Sequence, residues 1–229
     1  YEFRNTVKYI RSFSTVIPEE SKLVTRVLKI NSTYIPFKYA TIEDSLMGHE
    51  EGICENQHFL IGNSATITNN HFDAFQLLKK YKPKGLRVYV PLSYGDSEYA
   101  EMVKKEGEIL FKDQFAPIED FLSKGQFNQV LNDCGNIIMN QLRQQGLGTI
   151  LVALWKGARL YFNHRNPLYH YFNLNDIAVF RLSDLPRLNI LPSNRTLADI
   201  NRPSLLKLYG EKAVLEEAKQ LINFIGING

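Results

Sequence analysis

Two short segments hold residues whose types and spacing suit anion chemistry. The first is GNSATITNNH, residues 62 to 71, where Gly62, Asn63, Ser64, Thr66 and Thr68 follow one another closely. Such a run can bring backbone amides and hydroxyls together against a negative charge. The same run also suits a polar turn with a helix N-cap, which any α/β protein needs. The second is QLRQQGLG, residues 141 to 148, where Arg143 stands among Gln144, Gln145, Gly146 and Gly148. A guanidinium offers a planar fork of donors that fits a phosphate or diphosphate, and glycines let that group approach the backbone. An arginine paired with a nearby carboxylate, beside glycines that close a turn, is the other reading of these residues.

Two further segments carry candidates. PLSYGDSEY (91 to 99) offers Tyr94 to stack on a base or sugar and Ser93 as a hydrogen-bond donor, with Asp96 as a helix cap rather than an acid or base. FNHRNPLYHYF (162 to 172) offers His164, Arg165, Asn166 and Tyr169, although a lone histidine in such a loop is ordinarily structural. His49, Glu50, Cys54 and His58 have no zinc-site spacing and read as a solvated linker. KKYKPKGLR (79 to 87) is basic without acidic interruption, which suits dipole compensation and solubility or an anionic membrane surface. The chain has no Gly-x-Ser-x-Gly elbow, no Gly-Lys-Ser/Thr of a P-loop and no three spaced glycines of a dinucleotide fingerprint. An epimerase-like enzyme is therefore disfavoured.

The elements that must position these segments form an alternating pattern. HFLIG (58 to 62), LRVYVPL (86 to 92), EILFKD (108 to 113), NIIMNQ (136 to 141), ARLYFN (158 to 163) and IAVFRL (177 to 182) read as strands separated by helical periodicity. Helices are expected over 70 to 81, where Phe72, Phe75 and Leu78 share a face capped by Asn69 or Asn70, and from Asp96 to a stop at Gly107. Others are expected over IEDFLSK, QFNQVLND, the apolar 147 to 155, and 167 to 173, with a C-terminal amphipathic stretch stopped by Gly226. In an open parallel sheet ligands bind beyond the carboxyl ends of the strands, where all four candidate segments fall. Residues 1 to 57 are less regular: LVTRVLKI (23 to 30) reads as a strand, Pro36 breaks YIPFKY, and TIEDSLMGHEEG (41 to 52) is a short helix or a linker.

Bulk properties narrow the function classes. The 229 residues are 44% apolar, enough for a substantial core, and 27 basic against 24 acidic side chains give a charge of +3, too weak a field to argue for a nucleic-acid partner. Two cysteines, Cys54 and Cys134, read as reduced thiols in a reducing compartment. No apolar run reaches the roughly 18 residues that span a bilayer, and the first residues lack the apolar core of a signal peptide, so a soluble or membrane-peripheral chain is expected. The absence of an initiator methionine at Tyr1 points to upstream residues.

GNSATITNNH, VYVPLSYGD, RQQGLG and NPLY, in this order over roughly residues 58 to 187, resemble the bacterial TDP-N-acetylfucosamine:lipid II N-acetylfucosaminyltransferase (4-alpha-L-fucosyltransferase) family. The resemblance implies a GT-B glycosyltransferase that moves a 4-acetamido-4,6-dideoxygalactose-like sugar from a dTDP donor to a lipid-linked saccharide for surface polysaccharide. The fold implied is α/β, a Rossmann-like parallel sheet flanked by helices forming the C-terminal, donor-binding half. Residues 58–210 would be that nucleotide-sugar-binding domain, 211–229 the returning C-terminal helix, and 1–57 the remnant of an acceptor domain and linker, the chain being a truncated fragment.

The resemblance gives Arg143 the catalytic role of steadying the leaving diphosphate. Donor binding falls to Gly62, Asn63, Ser64, Thr66, Ser93, Tyr94, Gln144, Gln145, Gly146, Gly148 and Asn166. It implies no metal, no cofactor, a general base largely outside this chain, and a cytoplasmic protein peripheral to the inner membrane. QLRQQGLGTILVALW (141 to 155) departs from the better-known GT-B donor motif in having no acid, so ribose recognition must come from elsewhere, with Gln144 or Gln145 as candidates. The rival reading is a non-catalytic α/β nucleotide-sugar-binding or interaction module.

Overall fold

The computed structural model describes residues 6–54, 56–81 and 85–228, and the chain divides into two compact units, Ser45–Leu205 and Tyr1–Asp44 with Leu206–Gly229. Residues 82–84 of the basic segment 79–87 lie outside the described residues.

In the second unit, Tyr1–Asp44 with Leu206–Gly229, strands β1 (Ser12–Phe13) and β2 (Thr33–Tyr34) pair in parallel, separated by helix α1 (Pro18–Leu28). The strand expected over 23 to 30 is instead part of α1: Pro18 supplies the helical φ, Glu19 and Glu20 favour the N-terminal dipole, and these start signals outweigh the β-branched residues that follow. No α1 residue is buried. Helix α2 (Ile42–Leu46) turns the acidic 41 to 52 stretch into a single turn and more.

The larger unit is built on six parallel strands: β3 (Phe59–Ile61), β4 (Val88–Pro91), β5 (Phe115–Ile118), β6 (Asn136–Met139), β7 (Arg159–Phe162) and β8 (Phe180–Arg181). Their spatial order is β5-β4-β3-β6-β7-β8, with Leu60 in register with Ile137 on one side and Tyr89 on the other. Every residue of β3, β6 and β7 is buried, as expected of strands covered by helices on both faces. The covering helices are α3 (His71–Tyr81), α4 (Ser97–Phe111), α5 (Lys124–Asp133), α6 (Leu147–Trp155) and α7 (Pro167–Leu174). On the α3/α4 side, Phe75 packs edge-on against Phe111 and Phe115, with ring centroids 5.3 and 6.1 Å away. Helix α8 (Asn194–Tyr209) crosses the boundary between units, and α9 (Glu211–Asn228) ends the described chain.

Several expected elements shift. Residues 108 to 113 are not a strand: α4 runs through Gly107 to Phe111, and the strand is Phe115–Ile118. Gly107 is small for packing rather than for stopping, since a Cβ there would run into the Phe115 ring. IEDFLSK is the end of β5 and a loop, and α5 begins only at the capping box of Ser123 and Gln126. The strand over 177 to 182 shrinks to Phe180–Arg181, and α9 continues past Gly226. Asn70 flanks α3 in the left-handed region, and its amide turns to the Asn140 carbonyl instead of capping the helix. Cys54 and Cys134 are buried free thiols, and burial pushes Cys54 up to about 12.

Candidate functional site

The strand order reverses between β3 and β6, and the loops leaving their carboxyl ends, 62–70 and 140–146, meet there. Gly62 opens the first loop at φ +71°, where a Cβ would lie 2.7 Å from His71 Nε2 and 2.9 Å from Asn69 Oδ1. Only glycine lets the chain turn so tightly over these groups. Asn69 Oδ1 accepts from Gln141 Nε2 at 2.6 Å and from Asn63 N at 3.2 Å. Its Nδ2 donates to the Ser64 carbonyl at 2.8 Å and to Thr66 Oγ1 at 2.9 Å.

Gln145 ties the second loop to the first. Its Oε1 accepts from Thr68 Oγ1 at 2.8 Å, and its Nε2 donates to Thr66 Oγ1 at 3.0 Å and Asn63 Oδ1 at 3.1 Å. Asn63 Nδ2 donates onward to the Tyr94 hydroxyl at 3.0 Å. Asn63, Ser64, Thr66, Tyr94 and Gln145 are thus brought into one network whose bonding groups carry no formal charge.

Arg143 lies on the exposed part of the second loop, and its guanidinium has no hydrogen bond or ion pair with a described residue. Gly146 (φ +70°) follows it and packs against Asn63, where a Cβ would come within 3.0 Å of Asn63 Cγ. Gln144 is half-buried, and Gly148 is exposed in the first turn of α6 with open space around its Cα. The intrahelical ladder of α6 begins with Ile150 N donating to the Gly146 carbonyl, which leaves the amides of Leu147, Gly148 and Thr149 without a partner among the described residues at the positive end of the dipole. A guanidinium and a row of helix N-terminal amides in one loop, with hydroxyls in the other, are groups whose chemistry suits an anion.

Asn166 is 1% exposed, and both its amide hydrogens are engaged with this second loop, on the Gln141 carbonyl at 2.9 Å and the Arg143 carbonyl at 3.2 Å. Its Oδ1 caps α7 through Leu168 N. It therefore positions Arg143 from beneath. Ser93 and Tyr94 follow β4, and their loop is fixed to the first by Ala65 N on the Tyr94 carbonyl and Asp96 N on the Ala65 carbonyl, each 2.8 Å. Asp96 caps α4 by accepting from Tyr99 N at 2.8 Å. His164 is not brought to the crevice: it lines a separate cavity of about 220 Å³ with Asn140, Asn163 and Arg181.

Nothing in composition or periodicity singles out Gln141, and Asn69 offers only a cap; the available signal is position, a carboxamide just beyond a buried strand. Beneath the crevice, burial pushes His71 down to about 4, so its imidazole is neutral at physiological pH, with Nδ1 on the Tyr99 hydroxyl at 3.2 Å. His71 Nε2 and Gln141 Oε1 are buried without a partner among the described residues. No cluster of three His, Cys, Asp or Glu suited to a metal occurs among the described residues, nor a helix long and apolar enough to cross a membrane.

Residues 23–210 match the family model for 4-alpha-L-fucosyltransferase, glycosyl transferase group 56. The structure is similar to a glycosyltransferase from Rickettsia africae over 100% of this chain and 68% of that one (TM-score 0.75, 11% identity). It is similar to a sucrose-phosphate synthase from Thermosynechococcus elongatus over 99% and 61% (0.74, 11%), and to an α,α-trehalose 6-phosphate synthase from Burkholderia multivorans over 100% and 62% (0.67, 7%). The chain thus spans 61 to 68% of the length of these structures. At such low identity they establish the fold, that of GT-B glycosyltransferases, while the family match runs through the strands, the reversal point and both of its loops. The chain belongs to the 4-alpha-L-fucosyltransferase family, glycosyl transferase group 56.

Proposed function

We propose that the crevice between β3 and β6 holds the diphosphate of a dTDP-sugar, and that the full protein transfers its deoxy-amino sugar to a lipid-linked saccharide at the inner face of the bacterial membrane. The observation that carries this reading is Arg143, whose guanidinium has no bond to a described residue and which stands in the loop that leads into the N-terminus of α6 and is joined through Gln145 to the hydroxyl loop. In the reaction, the bond between the anomeric carbon and the β-phosphate oxygen breaks and its electron pair stays on the diphosphate. Arg143 and the amides of Leu147 to Thr149 stabilise that growing charge. The acceptor hydroxyl forms the new bond, and its proton passes to a base on the opposing domain. Asn63, Ser64 and Thr66 orient the phosphates, Gly148 leaves open space for their approach while Gly62 and Gly146 let the two loops pack tightly, and Ser93, Tyr94 and Gln144 contribute the outer donor contacts.

In this reading residues 58–210 are the donor domain, 211–229 the returning helix and 1–57 part of the acceptor half. The test is titration calorimetry of the chain with dTDP, UDP and GDP in EDTA. Preferential binding of dTDP, weakened about tenfold or more in Arg143→Ala, is expected from the loss of a charge-assisted contact. Undiminished dTDP binding in that variant would overturn the assignment of Arg143, and preference for another nucleotide would overturn the donor.

A further inference from the structure

Two cavities flank the crevice. One, of about 270 Å³, opens beyond the carboxyl ends of β4 and β5, where Ser93, Tyr94, Glu101 and Glu119 line it beside the candidate donor contacts. The other, of about 220 Å³, lies beyond the carboxyl ends of β6, β7 and β8, and none of the residues lining it has a role in the transfer proposed above. Its size is below the roughly 300 Å³ at which sites for drug-sized molecules begin, so it suits a ligand of about one ring.

The wall of this smaller cavity is built from carboxamides that are already engaged. Asn140 is 3% exposed; its Oδ1 accepts from Asn163 Nδ2 at 3.1 Å, and its Nδ2 donates to the Asn70 carbonyl at 3.2 Å. Asn163 Oδ1 accepts in turn from Arg165 N at 3.1 Å. Arg181 is held from the side: its Nε donates to the Tyr169 hydroxyl at 3.0 Å, and the guanidinium carbon lies 5.6 Å from that ring's centroid. Its two terminal nitrogens make no bond to a described residue, and neither do the Asp73 carboxylate, the His164 ring or the Ser183 hydroxyl. Leu77 and Leu182 supply the apolar part of the lining.

These free groups select by chemistry. One carboxylate against one guanidinium leaves no net charge from that pair, and a phosphate drawn to Arg181 would meet Asp73. A pyranose meets no such objection. Each of its hydroxyls both donates and accepts, so neighbouring hydroxyls can donate to Asp73 and accept from Arg181 in the stronger, charge-assisted class of hydrogen bond. Its C–H face suits the two leucines. Because Arg181 is fixed before anything binds, little side-chain freedom is lost on binding.

The cavity also stands close to the reacting centre of the proposed transfer. Asn140 and Arg143 are three residues apart in one loop, at most about 11 Å by chain length. Asn166, three residues after Asn163, bonds the Arg143 carbonyl. We infer that the cavity is a saccharide subsite that seats one pyranose of the acceptor, with its hydroxyls between Asp73 and Arg181. The assignment to the acceptor, though not the subsite itself, rests on the transfer proposed above.

The experiment is an amide-resolved NMR titration of the 229-residue chain with the methyl glycosides of glucose, galactose and N-acetylglucosamine. At least one is expected to give saturable shifts at Asn163, His164 and Ser183, with a Kd on the order of 1 mM for a ligand of this size. Arg181→Gln and Asp73→Asn are each expected to weaken it about tenfold while the remaining amides keep their positions. No saturable shift with any glycoside, or shifts that both variants leave undiminished, would overturn the subsite. Shifts centred on Arg143 and Gln145 and abolished by pyrophosphate would place the sugar in the crevice and overturn it too. Displacement of the glycoside by dTDP-glucose but not by dTDP would give the cavity to the donor's own sugar and overturn the acceptor assignment. Glycoside binding that both variants weaken, in a chain that binds neither dTDP nor pyrophosphate, would support the subsite while overturning the diphosphate reading of the crevice.

Discussion

The crevice between β3 and β6 and the cavity beyond β4 and β5 are neighbours made from opposite materials. The crevice is lined by buried carboxamides and hydroxyls that bond one another, with Asn69 0%, Ser64 1% and Gln141 0% exposed. The cavity is open, and its polar lining includes the carboxylates of Asp96, Glu101 and Glu119 on exposed residues. The first is rigid because Asn63, Asn69, Thr66 and Gln145 each have several partners, and leaving one of those unpaired costs about 1–3 kcal/mol. The second has little to lose when a side chain changes, because water replaces the contact. Damage to the crevice should therefore appear as lost stability, and damage to the cavity should leave stability nearly unchanged.

The sharpest way to break this contrast is Gly62→Val. The left-handed φ and the contact with His71 and Asn69 are expected to cost about 3 kcal/mol, lowering Tm by roughly 6–12 °C in calorimetry. Retained Tm would mean that the loop is softer than its bonding implies. Close behind comes pH. His71 stands at about 4 in the folded chain against an ordinary 6.5, so the unfolded chain takes its proton first. Its contribution is full above pH 6.5 and is lost as pH falls towards 4, by up to about 3 kcal/mol. His71→Gln should flatten that part of a denaturation profile taken from pH 7 to 4.

Asn69→Ala removes the acceptor shared by Gln141 Nε2 and Asn63 N, for an expected loss of about 2 kcal/mol in urea midpoint analysis. Gln145→Ala removes bonds at a half-buried site, and about 1 kcal/mol is expected. At the cavity, Lys104→Ala breaks an exposed ion pair with Glu119 and should leave the unfolding midpoint unmoved. A clear shift there would erase the distinction between the two regions.

The same contrast explains what could be read in advance. β3, β6 and β7 are legible because strands buried on both faces must be continuous apolar runs, and loops at their ends are then the natural place for Arg143 and Ser64. Asn69 and Gln141 were hidden because a carboxamide announces neither burial nor partner; only the register of β3 with β6 brings 69 next to 141. Gly107 misled for a similar reason: its purpose is the Phe115 ring, a contact between elements that local pattern does not contain. Helix α1 was hidden by Val24, Val27 and Ile30, whose β preference is weaker than the start signal of Pro18 with Glu19 and Glu20. Helix α8, with Pro203 inside it, offered no clean periodicity to read.

The strand order has one more consequence, which concerns folding. β3, β4 and β5 are joined through successive neighbours in the chain, and so are β6, β7 and β8, whereas β3 meets β6 across more than seventy intervening residues. That pairing is the one seam in the described sheet where two halves assembled from local crossovers must find each other, and long-range parallel pairing of this kind is slow. The crevice exists only once the seam has closed. Whatever binds there holds the two halves of the sheet together by mass action, so its concentration sets how often the unit opens along that line.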